Sequence, residues 1–249
     1  MRGWAALALG AAVAAMVWIG DGAAGWAAAP PCPKPPQIQL PTPVSLNVYN
    51  PVVVFRHDVD LLGLPRVEGH METPPAGWVL QGLTLTADHL DIRTRWVRQD
   101  LSDGRVCIWL ASVAATLGIP EQHVYVANDY PEGSCEYRAV VTHEYKHVEI
   151  NRRVVNSYGE PVLKALRAGV AQTNPLIFSN RNVQDSQVTG FLYTLMRPTV
   201  AAMTAELRRQ NGAIDTPQAY IQEHAASGCK NWFPRGLPGY AHHGAPPPG

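Results

Sequence analysis

Hydrophobic and polar positions alternate in several stretches of the first half of the chain, which is typical of β-strands with one buried face. The stretches that show this alternation, or a run of β-branched residues, are 44–55, 78–87, 91–97 and 123–127. Residues 107–117 (CIWLASVAATL) fit a strand or a helix. We predict mainly strand there, because a turn signal at Gly118 and Pro120 separates this stretch from the strand at 123–127. Residues 128–134 are predicted to form a loop.

The spacing of the hydrophobic residues changes to three and four after Ser134, which predicts an α-helix. Ser134 is a suitable N-cap, and Glu136 places a negative charge in the first turn. No glycine or proline follows until Gly159 and Pro161, which predict the end of the helix or a kink.

Further helices are predicted for residues 162–171, for residues 183–209 with an interruption near Pro198, and for residues 216–226. Strands therefore dominate the first half of the chain and helices the second half. This order indicates an α+β fold, not an alternating β/α fold.

The composition is that of a globular protein without a strong charge bias. Hydrophobic residues make up 46% of the 249 residues, and 20 basic residues balance 20 acidic residues. A balanced charge without a basic run gives no electrostatic reason to expect a nucleic-acid partner. The length allows one large domain, or two small ones, with a hydrophobic core, and we place a single domain at residues 44–232.

The first 29 residues have the layout of a secretory signal peptide: Arg2, an apolar run up to Ile19, and then small residues. Cleavage is plausible after Ala24 or Ala27. The alternative is an uncleaved membrane anchor, but Asp21 and the short apolar run disfavour it, because a span needs about 20 apolar residues. We therefore expect a secreted or periplasmic protein without a stable membrane span. Residues 30–43 form a Pro-rich lead-in, and residues 233–249 a flexible tail.

Four cysteines lie beyond this segment, and an even number in an exported chain predicts two disulfides. Three pairings are possible. We favour Cys107–Cys135, whose members flank the region that carries the motif described next, together with Cys32–Cys229, which would join the two ends of the chain.

The predicted helix after Ser134 contains the sequence Thr-His-Glu-Tyr-Lys-His, an H-E-x-x-H motif. His143 and His147 lie one turn apart on one helix face, about 6 Å from each other, so both imidazoles can bind one Zn²⁺. Glu144 does not share that face. Its carboxylate can act as the general base that takes a proton from water at the metal. The histidines could instead be ordinary half-buried side chains.

The motif resembles that of the zincin metallopeptidases, and the longer string HEYKHVEIN is similar to secreted bacterial zinc-dependent proteases of an uncharacterised family. The resemblance implies a zincin-like fold: a twisted β-sheet from the N-terminal half packs on the active-site helix, and an edge strand lines the cleft. It also implies that His143 and His147 bind the zinc and that Glu144 is the base. The metzincin subclass is excluded, because Ile150 and Arg153 occupy the positions of its glycine and its third histidine.

A third zinc ligand remains open. The resemblance favours a carboxylate on a later helix, as in gluzincins, so Glu206 is the first candidate, and Asp185 and His224 are the alternatives. We expect an exported zinc metallopeptidase that acts on a peptide or protein substrate. The alternatives are a zinc amidase of the cell wall and a cell-envelope binding or scaffold protein whose metal is structural or absent.

Overall fold

A computed structural model describes residues 31–33, 35, 37–67, 79–179, 181–230 and 232. The predicted signal peptide (1–29) and tail (233–249) lie outside these residues. As predicted, the described part of the Pro-rich lead-in forms neither helix nor strand. The predicted α+β class is confirmed, because strands fill the first half of the described chain and helices the second.

Among the described residues, seven strands form two sheets. They are β1 (Val44–Tyr49), β2 (Val52–Arg56), β3 (Gly82–Thr86), β4 (His89–Asp100), β5 (Val106–Gly118), β6 (Glu121–Val126) and β7 (Leu176–Phe178). The first sheet has the order β1-β5-β4, with β7 also paired to β5, and the second has the order β2-β6-β3. Within residues 107–117, the ambiguous stretch is strand, as predicted.

Strands at corresponding positions of the two sheets are consecutive in the chain. Strand β1 is followed by β2, β5 is followed by β6, and β3 is followed by β4. Pro51 and Pro120 lie at two of the three breaks between the sheets. Proline has no N–H group and cannot donate to the hydrogen-bond ladder, which accounts for the interruption of the strands at Pro51 and Pro120. Strand β3 runs antiparallel to β6 and is an edge strand of the described part of the second sheet.

Helix α1 (Cys135–Thr173) begins where predicted, with the Ser134 hydroxyl accepting a hydrogen bond from the Tyr137 N–H at 3.1 Å. The predicted end of the helix at Gly159 and Pro161 is wrong. The helix continues for 39 residues and includes the separate helix predicted at 162–171. Pro161 is exposed, so water can solvate the carbonyl group that loses its partner. Gly159 is buried against β1: a Cβ there would lie 2.9 Å from Val48 Cγ2.

Helix α2 (Asp185–Ile214) passes without a break through Pro198, so the predicted interruption is also wrong. Pro198 too lies on an exposed face. Helix α3 (Pro217–Ser227) confirms the predicted helix at 216–226 and ends at Gly228, whose φ of 67° is in the left-handed region. In the described part of the chain, we find no helix whose length and apolar character would let it cross a membrane.

Helix α1 lies across both sheets and contributes to two hydrophobic clusters. The larger cluster joins the first sheet to α1 and α2 and includes Leu110, Val154, Leu192 and Met203. The smaller cluster lies at the second sheet and includes Leu64, Val126, Tyr130, Val140 and Trp232. The N-terminal part of α1, which carries the H-E-x-x-H motif, therefore packs at the second sheet.

The structure contains two disulfides, as predicted, but both predicted pairings are wrong. Cys32 pairs with Cys107 and Cys135 with Cys229. Cys107 is buried in β5, where it fixes the start of the lead-in to the first sheet. Cys135 is the first residue of α1, and its bond to Cys229 ties that end of α1 to the segment after α3.

Candidate metal centre

His143 and His147 lie one turn apart on the buried face of α1, and their imidazoles converge. Their Nε2 atoms are 3.2 Å apart. Both side chains are almost fully buried, with 5% and 8% of the residue surface exposed. Burying a polar ring without hydrogen-bond partners costs free energy, so each of these four nitrogens needs a partner in the protein or a bound ion.

Asp215 completes a triangle with the two histidines. It caps the C-terminal end of α2, and its Oδ1 atom lies 3.1 Å from Nε2 of both His143 and His147. Donors that bind a tetrahedral zinc at 2.0–2.1 Å are about 3.3 Å from one another. The three atoms have nearly this separation, so the group could hold a metal ion.

The opposite nitrogens of the two rings face hydrogen-bond acceptors. His143 Nδ1 lies 2.8 Å from Glu223 Oε2, and His147 Nδ1 lies 2.8 Å from Asn211 Oδ1. Asn211 is held in this orientation because its Nδ2 donates to Asn151 Oδ1 at 2.8 Å. Each Nδ1 therefore carries the proton and donates it. A neutral imidazole protonated at Nδ1 presents its Nε2 lone pair, which is the form that binds a metal.

Glu144 is buried beside the triangle and does not belong to it. One of its carboxylate oxygens, Oε2, accepts a hydrogen bond from the Thr84 hydroxyl of β3 at 2.7 Å. Burial raises the pKa of Glu144, and the charges of His147 and His143 oppose this rise. A carboxylate with a raised pKa is a better proton acceptor near neutral pH than an exposed one.

The histidines and Asp215 strongly affect one another's protonation. Burial lowers the pKa of His147, but the hydrogen bond to Asp215 and the charges of Glu144 and Asp215 outweigh this and raise it to about 9. Burial also lowers the pKa of His143, and its hydrogen bond to Asp215 and the charge of Glu144 bring about a net rise. Burial raises the pKa of Asp215, but its bonds to the two histidines hold it well below the usual range. The three groups therefore favour protonated, positively charged histidines beside an ionised Asp215 carboxylate.

A cleft opens beside His143 and Glu144. Tyr220 lines it, with its ring 4.8 Å from that of His143 and its hydroxyl donating to Asp215 Oδ1 at 3.0 Å. At another wall, His224 stacks on Trp232 with 3.7 Å between the ring centres, and its Nε2 lies 3.0 Å from Gln81 Oε1. Glu144 and His143, one of the two candidate metal ligands, thus line the same space.

None of the three predicted candidates for the third ligand belongs to the triangle. Asp185 Oδ1 accepts a hydrogen bond from Trp96 Nε1 at 2.9 Å, and Glu206 forms an ion pair with Arg209. His224 lies in the cleft but stacks on Trp232. The structure does not bring these three candidates to the two histidines, and the residue that it places there is Asp215.

Antiparallel packing of α1 and α2 brings Asp215 to the histidines. Gly169 of α1 contacts Leu195 of α2, and Asn151 bonds to Asn211, so the end of α2 lies beside the start of α1. The helix predicted at 183–209 stops six residues short of Asp215. Had the helix been predicted to continue to residue 214, Asp215 would have stood at its C-terminal end. An acidic residue at that end of a helix is the sequence signal that could have identified Asp215.

The chain has no match among protein-family models, curated proteins or solved structures.

Proposed function

We propose that this chain is a zinc-dependent hydrolase, and that it is a peptidase on a zincin-like fold. The observation that carries the proposal is the triangle of His143 Nε2, His147 Nε2 and Asp215 Oδ1, with all separations between 3.1 and 3.2 Å and Glu144 buried alongside. This is a set of three donors and a base, as metal-assisted hydrolysis requires.

The donor types fit zinc, and the H-E-x-x-H helix that supplies two of them favours zinc over iron(II), which binds the same donor set. Two imidazole nitrogens and one carboxylate oxygen suit zinc, whereas calcium and magnesium prefer sites built from oxygen alone. A structural zinc is usually enclosed by four protein ligands, and a catalytic zinc by three. In the described residues, the group consists of three side chains and borders a cleft, which supports a catalytic site over a structural one.

When bound, zinc supplies a Lewis acid that polarises a carbonyl group and lets water lose a proton near neutral pH. The protein's own part begins with Asp215, His143 and His147, which hold the ion. Glu144, which directly follows the first of these histidines in the chain, accepts the proton of the attacking water and returns it to the leaving amine.

A peptide substrate is supported by the position of β3. In the described part of the chain β3 is an edge strand, and Gln81 and Gly82 at its start line the cleft together with Glu144, where an extended peptide can add to a sheet. The arrangement of an H-E-x-x-H helix beneath an antiparallel edge strand also supports the zincin-like fold.

Two disulfides support an exported protein, because such bonds persist mainly in oxidising compartments. We therefore propose that the protein acts outside the cytoplasm, in the periplasm or in the medium.

Metal analysis and one pair of variants test the proposal. The purified, tag-free protein should bind about one zinc per chain, and His143→Ala should lose it. Glu144→Gln should keep the zinc and lose hydrolysis of a mixed peptide library. If Glu144→Gln hydrolyses the library as fast as the wild type, the enzymatic proposal fails. Cleavage of isolated cell wall, with no cleavage of the peptides, would instead identify an amidase.

A further inference from the structure

Strand β3 lies against both carboxylate oxygens of Glu144. The Thr84 hydroxyl donates to Oε2 at 2.7 Å and lies 3.4 Å from the main-chain oxygen of the same residue. On the other side, a Cβ placed on Gly82 would lie 2.5 Å from Oε1 and 2.9 Å from Cγ of Glu144. The carboxylate is therefore held between a donor and a residue that has no side chain.

The two contacts come from one feature of the sequence. Residues two apart in a strand point to the same face, so Gly82 and Thr84 both face α1. Strand β3 pairs with the central strand β6 through this segment, with Thr84 opposite Val124. The pairing of β3 with β6 thus fixes the position of the Thr84 hydroxyl relative to α1, because Thr84 belongs to a sheet and not to a flexible loop.

The two oxygens of Glu144 have different surroundings as a result. Oε2 is occupied by a short hydrogen bond from the Thr84 hydroxyl, a neutral donor. Oε1 lies next to Gly82, and both residues line the cleft together with His143. A side chain at position 82 would fill the space that Oε1 needs.

We propose that Thr84 is a positioning residue, which fixes Glu144 so that Oε1 is the atom that takes the proton, and that Gly82 keeps the space beside Oε1 open. This inference rests on the proposed hydrolase function. A glutamate side chain has three rotatable bonds, and proton transfer needs the acceptor within hydrogen-bond distance of the water. Thr84 removes the orientations in which Oε1 turns away.

Three variants of β3 test the role in turnover, with fluorescein-labelled casein as the probe. Thr84→Val keeps the shape of the side chain and removes the donor, so kcat should fall about tenfold or more, with KM and bound zinc unchanged. Thr84→Ser keeps the donor and should restore kcat to within about threefold of the wild type. Thr86→Val makes the same chemical change at an exposed position of the same strand and should have no effect. Wild-type kcat in Thr84→Val would overturn the inference.

A second measurement does not depend on activity. In zinc-free protein, Thr84→Val should lower the urea midpoint of unfolding in the wild-type background, and should lower it much less in the Glu144→Met background, where the acceptor is gone. Equal shifts in both backgrounds would show that the effect of Thr84 on stability does not depend on Glu144. With an active wild type, this result would overturn the inference about Thr84 and leave the proposed function standing. An inactive, zinc-loaded wild type would overturn the proposed function and this inference with it.

Discussion

Asp215 Oδ1 lies 3.1 Å from His147 Nε2, although 68 residues separate the two along the chain. The same oxygen is equally close to His143 Nε2 and accepts a hydrogen bond from the Tyr220 hydroxyl. The end of α2 thus brings to the two histidines a third candidate donor, which the H-E-x-x-H motif itself does not contain. This relationship defines the candidate site more narrowly than the motif alone does.

Replacing Asp215 should therefore weaken zinc binding. Asp215→Ala removes one of three ligands and leaves two buried histidines without their shared acceptor, so zinc affinity should fall by at least about a hundredfold. Competition titration with a chromophoric chelator measures this. Asp185→Ala is the matched control, because this carboxylate belongs to the first turn of α2 and bonds to Trp96, away from the triangle. Equal losses in the two variants would contradict the assignment of Asp215.

Local sequence patterns predicted most of the secondary structure. Alternation and runs of β-branched residues identified β1 to β4 and β6, whereas β5, which is buried along most of its length, was predicted from the turn signal after it. Ser134 marked the start of α1 because its side chain caps the helix. The same rules failed at Pro161 and Pro198. Both prolines are exposed, and the packing of the opposite face outweighs the loss of one hydrogen bond.

The site was only half predictable for a different reason. His143, Glu144 and His147 are local, so the helix period alone brings two imidazoles to one face. Asp215 reaches them only through the pairing of α1 with α2, which no short pattern encodes. The disulfides follow the same logic, because Cys135 meets Cys229 only when α3 lies on the start of α1.

The acceptors behind the histidines should tune zinc affinity without being ligands. Asn211→Leu removes the oxygen that accepts the His147 Nδ1 proton, so the ring loses its fixed orientation and tautomer. Zinc affinity should fall about 10- to 100-fold. Glu223→Gln keeps an acceptor for His143 but removes a charge that also binds Lys146, and its loss should be smaller. A chelator titration of both variants, beside Gln210→Leu as a control one residue away from Asn211, checks this order. Unchanged affinity in Asn211→Leu would contradict the role of this residue.

Zinc binding should strengthen as the pH rises. The pKa of His147 is raised to about 9 in the folded, zinc-free protein, so at neutral pH zinc must displace a proton from this ring. Affinity should increase up to about tenfold per pH unit from about pH 6.5 and level off near the raised pKa. The titration is repeated at fixed ionic strength across this range. An affinity that does not change with pH would contradict the prediction.

The same shift predicts how the stability of the zinc-free protein depends on pH. A raised histidine pKa stabilises the fold fully below the unfolded value of about 6.5, and this contribution is lost as the pH rises through the folded value near 9. The free energy of unfolding should fall over this window by at most about 3 kcal/mol. His147→Gln should remove most of this dependence. Urea unfolding at several pH values measures it, and a wild-type stability that rises over the same window would contradict the sign.

The disulfide Cys135–Cys229 should matter to the site far more than Cys32–Cys107. Helix α3 has no fully buried residue, so little apolar burial holds it on α1, and the disulfide supplies a covalent link. Because α3 carries Tyr220 and Glu223, the double variant Cys135→Ser/Cys229→Ser should lose at least about tenfold in zinc affinity. Cys32→Ser/Cys107→Ser should lower stability by about 2–5 kcal/mol but keep the affinity of the folded protein. Hydrogen exchange in α3 and chelator titration distinguish the two effects. Equal zinc affinities in both variants would contradict the link, because they would mean that the packing of α3 on α1 is sufficient to hold Tyr220 and Glu223 beside the triangle.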